Sequence, residues 1–375
     1  MKNMLRKAAA LLLAVMMCLG ASGCMTAQPE KDPWEELFEG GSFDESGTLW
    51  LTDDPQFAGM NSELEEYCVE KSVGSVLVAT DDKVIFAGGF NASEADGSPA
   101  DPYTVYEIGS VTKQFCAAAI LQQIEAGRIH PDDTIDKYFP DYPHGSEITV
   151  DNLLHMSSGL TEMLDTTVFF SGAPNEDRMG FRNGTLSDEK VLEYLGKLRL
   201  NFKPGSIFSY CNTNYWLLAL ILEQVTGQTY EEYVAENFLE PFFMKHTSCC
   251  STGDVTAEAT GEYMLIARNA RGAGDIHSNV CDILLWDRAL FGGKILGQEQ
   301  LDYMTEMKKG YGCGQMSEGE NHIFHSGSTW SFVTMNSIYT AEGIGRVYVI
   351  QMTGDSSSAG SIDGVEDIVE KHLGL

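Results

Sequence analysis

Residues 323–352 read IFHSGSTWSFVTMNSIYTAEGIGRVYVIQM. Three runs rich in β-branched and aromatic residues, Ile323–Ser328, Phe332–Tyr339 and Arg346–Met352, are separated by short turns, the second carrying Glu342-Gly343. That is the pattern of a three-strand antiparallel meander. An amphipathic pattern over Gly364–Leu373 predicts a closing helix. Near the other end, Val73–Thr80 and Lys83–Gly89 flank Asp81-Asp82 and read as a β-hairpin. Ser110–Ala126 follows as a helix by pattern, with Phe115/Cys116, Ala119/Ile120 and Gln123/Ile124 recurring about every four residues and Gly127 in place to stop it. The middle of the chain is mostly helical. Thr229 and Glu232 fit a capping box ahead of Tyr230, Tyr233, Val234 and Phe238, and Pro241 ends that segment. Trp216–Leu222 is apolar throughout but only seven residues long, a buried helix rather than a membrane span. The fold class is therefore α/β (α+β), an antiparallel sheet built from both chain ends and flanked by helices, with an inserted all-helical domain. The boundaries expected are 56–130 with 265–375 for the discontinuous α/β domain and 131–264 for the helical one.

The chain has 375 residues, 43% of them hydrophobic, with 24 Lys+Arg against 55 Asp+Glu and a net charge of −31. That much apolar surface excludes a wholly disordered acidic protein. The acidic balance excludes a nucleic-acid partner, which would need a basic face. Lys2, Arg6 and Lys7 precede an apolar run from Ala8 to Leu19, and Ala21-Ser22-Gly23 lead into Cys24. This is an export signal over 1–23 resembling a bacterial lipobox, with Cys24 as the lipidated residue; simple secretion is the alternative. Residues 25–54 hold nine acids and one base among Pro and Gly, so 24–55 reads as an acidic tether. The expected location is the extracytoplasmic face of the cell membrane, held by a lipid anchor. Cys68, Cys116, Cys211, Cys249, Cys250, Cys281 and Cys313 show no paired spacing and read as small buried hydrophobes. The His residues show no spacing suited to a metal, so neither metal nor cofactor is expected.

Ser110-Val111-Thr112-Lys113 puts a hydroxyl and an amine three residues apart, on one face at a helix N-terminus. A Ser hydroxyl is a weak nucleophile until a neighbour takes its proton, and an amine does so if burial lowers its pKa. Alone the motif is weak: Ser187-Asp188-Glu189-Lys190 has the same spacing and reads as a surface helix start. Two further elements raise it. Tyr210-Cys211-Asn212 offers a phenol, as phenolate or proton relay, and an amide for substrate and Lys. His325-Ser326-Gly327 lies on an expected edge strand, where the imidazole can meet a carboxylate and the glycine can admit substrate backbone. Lys308-Lys309-Gly310 and His372-Leu373-Gly374 share that spacing without strand context. Each residue also has a plain reading: Ser110 a helix cap, Tyr210 a core aromatic, Asn212 a turn residue, His325 a strand residue.

Ser110-x-x-Lys113, Tyr210-x-Asn212 and His325-x-Gly327, in that order and roughly a hundred residues apart, resemble the serine β-lactamase and penicillin-binding superfamily, in particular its class C-like branch. Leu153-Leu154-His155-Met156-Ser157-Ser158-Gly159-Leu160 and Phe202-Lys203-Pro204-Gly205 resemble it too, so the likeness extends over about 60–375. It implies Ser110 as nucleophile of an acyl-enzyme, Lys113 and Tyr210 as the proton-transfer pair, and Asn212, His325 and Gly327 in substrate binding. The oxyanion hole would be the backbone N–H groups of Ser110 and Ser328. His325 departs from the Lys of class C β-lactamases and is similar to the D-alanyl-D-alanine carboxypeptidase, D-aminopeptidase and esterase members. The expected activity is that of a serine hydrolase on D-alanyl peptides, esters or amides. A class C-like β-lactamase and a non-catalytic penicillin-binding sensor are the alternatives. The expected partners are a small-molecule or peptide acyl donor and the lipid anchor, on a monomeric chain.

Overall fold

The computed structural model describes residues 36–91, 99–249, 269–329, 332–354 and 362–375. The expected export signal over 1–23, Cys24 and Cys250 lie outside them. Residues 38–375 form one compact unit.

The strands are β1 (Gly41–Phe43), β2 (Leu49–Thr52), β3 (Ser75–Thr80), β4 (Val84–Gly89), β5 (Tyr106–Glu107), β6 (Ser248–Cys249), β7 (Ile276–Ser278), β8 (Met316–Glu318), β9 (His322–Ser328), β10 (Val333–Ala341) and β11 (Gly345–Thr353). Eight make one antiparallel sheet in the order β1-β2-β4-β3-β11-β10-β9-β8. The meander (β9–β11) and hairpin (β3–β4) form as the sequence predicts, and β3 pairs with β11 from Ser75↔Met352 to Thr80↔Val347, joining the chain ends. β5, β7 and β6 form a second, three-stranded sheet.

The described helices are α1 (Ala58–Lys71), α2 (Thr112–Glu125), α3 (Val150–Leu154), α4 (Thr166–Phe169), α5 (Asn175–Arg182), α6 (Asp188–Gly196), α7 (Thr213–Thr226), α8 (Tyr230–Val234), α9 (Val280–Phe291), α10 (Gln298–Thr305) and α11 (Asp363–Leu373). On one face of the sheet Met60, Leu64 and Cys68 of α1 meet Val365, Ile368 and Val369 of α11 over Val76, Val78, Val347 and Val349. α9 packs on β3 and β11. All six residues of β3 are buried, because both faces of the sheet are covered. The capping box of α8 forms, and Ser187 caps α6 through Lys190 N, so the second Ser-x-x-Lys is the helix start it reads as.

One expectation changes. Residues 41–52, placed by composition in the tether, are the sheet's β1 and β2, and Trp50 is only 1% exposed. Their acids and glycines mask an apolar Leu49-Trp50-Leu51 run of three residues, too short to register as a strand signal. Helix α2 forms where the pattern places it and is buried almost all round. Phe115 stacks on Trp286 of α9 with ring centroids 3.7 Å apart, while α7 and α10 cover other sides. The six described cysteines are all buried.

Candidate active site

Gly109 sits at φ +50 and opens a single 3₁₀ turn, Gly109–Val111, that runs into α2 and presents Ser110 at the start of the helix. One turn on, Lys113 is fully buried. Its Nζ lies 2.9 Å from Ser110 Oγ and donates to Asn212 Oδ1 at 2.7 Å and to the Ala273 carbonyl at 2.6 Å. Burial lowers the Lys113 pKa to about 7, against an opposing pull from the Glu162 charge. A neutral amine has two N–H groups and one lone pair. Asn212 Oδ1 and Ala273 O can only accept, so they take the two N–H groups and leave the lone pair aimed at the Ser110 hydroxyl.

Tyr210 O–H donates to Ser110 Oγ at 2.7 Å from the opposite side. The residue as a whole is 39% exposed, but burial pushes the phenol well up from its ordinary range. The neutral phenol, not the phenolate, is therefore the form held here, and its hydrogen bond runs to Ser110 rather than to a cation. Lys113 Nζ lies 4.9 Å from the ring centroid instead.

Asn212 is oriented by Glu162, a residue the sequence motifs do not single out. Glu162 Oε2 accepts from Asn212 N at 2.7 Å and from Asn212 Nδ2 at 3.0 Å, while a side-chain oxygen accepts from Leu164 N at 2.9 Å. Its only sequence signal is its place three residues after Gly159. Cys211 is buried and packs beside Met156, whose sulfur accepts from Cys211 N.

His325 lies on β9 beyond the short β8, which pairs only with residues 322–324, so 325–328 form an open edge as expected. Its ring is placed differently from expectation. It is 1% exposed, its Nδ1 lies 2.6 Å from the Ser326 carbonyl and its Nε2 lies 2.9 Å from Tyr311 O–H. The carbonyl requires Nδ1 to donate, so Nε2 accepts from Tyr311. Burial, with the Lys113 charge adding to it, pushes the imidazole down to about 3. Both nitrogens are thus committed within the protein, and the ring backs Tyr210 at 6.2 Å between centroids rather than offering a cation to substrate. Tyr311 in turn stacks on Phe208, 5.6 Å between centroids.

Gly327 is also needed for a reason other than substrate approach. A Cβ there would lie 1.9 Å from the Ile108 carbonyl oxygen and 3.2 Å from Ser110 N, and one on Gly109 would lie 2.9 Å from Ser328 N. The two glycines let β9 press against the nucleophile turn, with Ser328 N close to Gly109 and Ser110 N close to Gly327. Such a pair can receive a developing oxyanion.

Residues 63–366 match the family model described as Beta-lactamase. Protein flp of Staphylococcus aureus strain MW2 is 34% identical over 180 residues, 46% of this chain and 34% of that protein. The putative penicillin-binding protein PbpX of Bacillus subtilis strain 168 is 25% identical over 257 residues, 65% of this chain and 61% of that protein. The chain thus spans about a third of the first relative's length and three fifths of the second's. Among solved structures, the D-amino acid amidase of Ochrobactrum anthropi SV3 superposes with a TM-score of 0.67 at 20% identity, over 84% of this chain and 98% of its own. FmtA of Staphylococcus aureus gives 0.68 at 17% identity, over 88% and 92%. Both share the fold.

Proposed function

The chain belongs to the β-lactamase family, and from that premise we propose that it is a serine acyl hydrolase with Ser110 as nucleophile, Lys113 and Tyr210 as its proton-transfer pair and D-alanyl peptides, esters or amides as substrates. The observation that carries this is the neutral-competent Lys113 amine 2.9 Å from a hydroxyl that Tyr210 holds from the other side. Ser110 Oγ attacks the acyl carbon and its proton passes to Lys113 Nζ. The Ser110 and Ser328 amides stabilise the oxyanion. Collapse breaks the bond to the leaving group, which takes a proton delivered from Lys113 through Tyr210. Water then attacks the acyl-enzyme by the reverse route, regenerating Ser110. Asn212 orients Lys113 and offers its amide edge to substrate, while His325 supports Tyr210 and leaves the carboxylate of a β-lactam without a cation from β9.

The names of the relatives guide the choice of probes: a D-amino acid amide, a D-alanyl-D-alanine peptide, a p-nitrophenyl ester and a fluorescent penicillin. Turnover or covalent labelling that Ser110→Ala abolishes supports the reading. No label and no turnover, with Ser110→Ala indistinguishable from wild type, would leave a non-catalytic binding module. Export and anchoring at the extracytoplasmic membrane face through Cys24 belong to the same proposal; an unmodified mature N-terminus in mass spectrometry refutes the anchor. Sedimentation tests the monomer, since a penicillin-binding protein homologue of this fold from Pyrococcus abyssi is octameric.

A further inference from the structure

Among the described residues, Glu162 is the one carboxylate that touches the catalytic cluster directly, and it does so with all of its hydrogen bonds directed at backbone or at Asn212. It stands in the loop after α3, whereas Asn212 stands at the start of α7, so the contact ties two separate segments. The two ends of the Asn212 amide are nearly alike in shape, so shape alone does not fix which one faces Lys113. Because the carboxylate can only accept, it captures Nδ2 and the backbone N–H, which forces Oδ1 toward Lys113. A flipped Asn212 would point an N–H at the amine and either repel it or consume its lone pair. We infer that Glu162 is a positioning residue of the acyl-transfer site, which fixes the direction of the Asn212 amide and thereby the direction in which the Lys113 lone pair faces Ser110. This rests on the Ser110 reading above and deepens it.

The same carboxylate acts on Lys113 through space. Lys113 is faced by Cys116 on its own helix, Cys211, Tyr210 and Tyr215 from around α7, Asp275 from the segment ahead of β7, and His325 from β9. His325 is held neutral, and burial raises Asp275 toward about 7 and both thiols above their ordinary range. That leaves Glu162 as the largest charge opposing the desolvation of the ammonium. It holds the Lys113 pKa above where burial alone would leave it, and a lower value would make the amine a poorer base.

The test is the titration of Lys113 followed by ¹³C NMR of lysine-labelled full chain, assigned by loss of its signal in Lys113→Arg, alongside the pH profile of acylation. Wild type should titrate near 7. Glu162→Gln, which keeps the shape and drops the charge, should move the midpoint down by about one unit and slow acylation about tenfold on the alkaline plateau. Glu162→Asp should restore the midpoint while leaving acylation slow, because the shorter arm does not reach Asn212. A Lys113 midpoint unchanged in Glu162→Gln, in a chain with wild-type melting temperature, overturns the inference. The NMR arm reads out even if no probe is acylated, so a failure of the Ser110 reading, seen as absent labelling with the titration shift intact, is distinct from a failure of this one.

Discussion

At the scale of single residues the site is set by which polar atoms can only accept. Asn212 Oδ1 and Ala273 O take both N–H groups of a neutral Lys113, so the lone pair has one remaining direction, toward Ser110. With Lys113 as base, kcat/KM should climb about tenfold per pH unit below about 7 and level off above it. A profile with its limb near 4 would point to a carboxylate as the base. Tyr210→Phe and Lys113→Ala should each slow acylation by about 10²-fold or more with the melting temperature unchanged. Gly327 makes the sharper structural prediction. An added methyl would lie 1.9 Å from a backbone carbonyl that has no room to give, so Gly327→Ala should cost about 3 kcal/mol in denaturant titration and separate the two oxyanion amides. Wild-type stability and rate in that variant would show that β9 is not clamped to the Ser110 turn.

At the scale of elements, β2 is the one whose role sequence composition disguises. Leu49 and Leu51 pack on the shared core and Trp50 is buried against Phe38, so the strand holds the sheet's far side although it adjoins an acid-rich segment. Trp50→Ala should lower unfolding free energy by about 3–5 kcal/mol, measured in urea, where a tether residue would cost nothing. The long strands and α2 were legible because β-branched alternation and apolar pairs extend over six residues or more. β2 was not, since three residues carry no period. Glu162 was illegible for a different reason: a single acid in a loop gains meaning only from what it meets fifty residues later.

At the scale of the whole molecule, charge and buried acids pull the same way. Burial raises Asp282 to about 6, Asp275 and Glu366 to about 7, and Asp287 to about 8. Each folded-state pKa lies above its unfolded one, so the folded chain holds more protons between the two values and its stability falls as pH rises from about 4 to 8. Self-repulsion at a net charge of −31 grows over the same range. Lys113, depressed to about 7, acts in the opposite sense above that pH, and His325, depressed to about 3, does so up to about pH 6.5; the four raised acids outnumber them. The melting temperature should therefore decline from about pH 5 to pH 8, and salt should restore part of it. Asp287 accepts from Asn336 Nδ2 at 2.9 Å, so Asp287→Asn should flatten the decline. Equal slopes in the variant and wild type would remove Asp287 from this account.

The sequence by itself determined the antiparallel sheet drawn from both ends of the chain, because periodicity is local and repeated, and it pointed to Ser110, Lys113 and Tyr210 through short motifs whose joint order resembles one family. The tertiary structure alone decided how those groups are charged and aimed. Desolvation of Lys113 and His325, the capture of the imidazole by Tyr311 and Ser326, the grip of Glu162 on Asn212 and the fit of Gly327 against Ile108 all arise between segments far apart in the chain. Dielectric environment and close approach are properties of packed neighbours, which no residue carries in its own position along the chain.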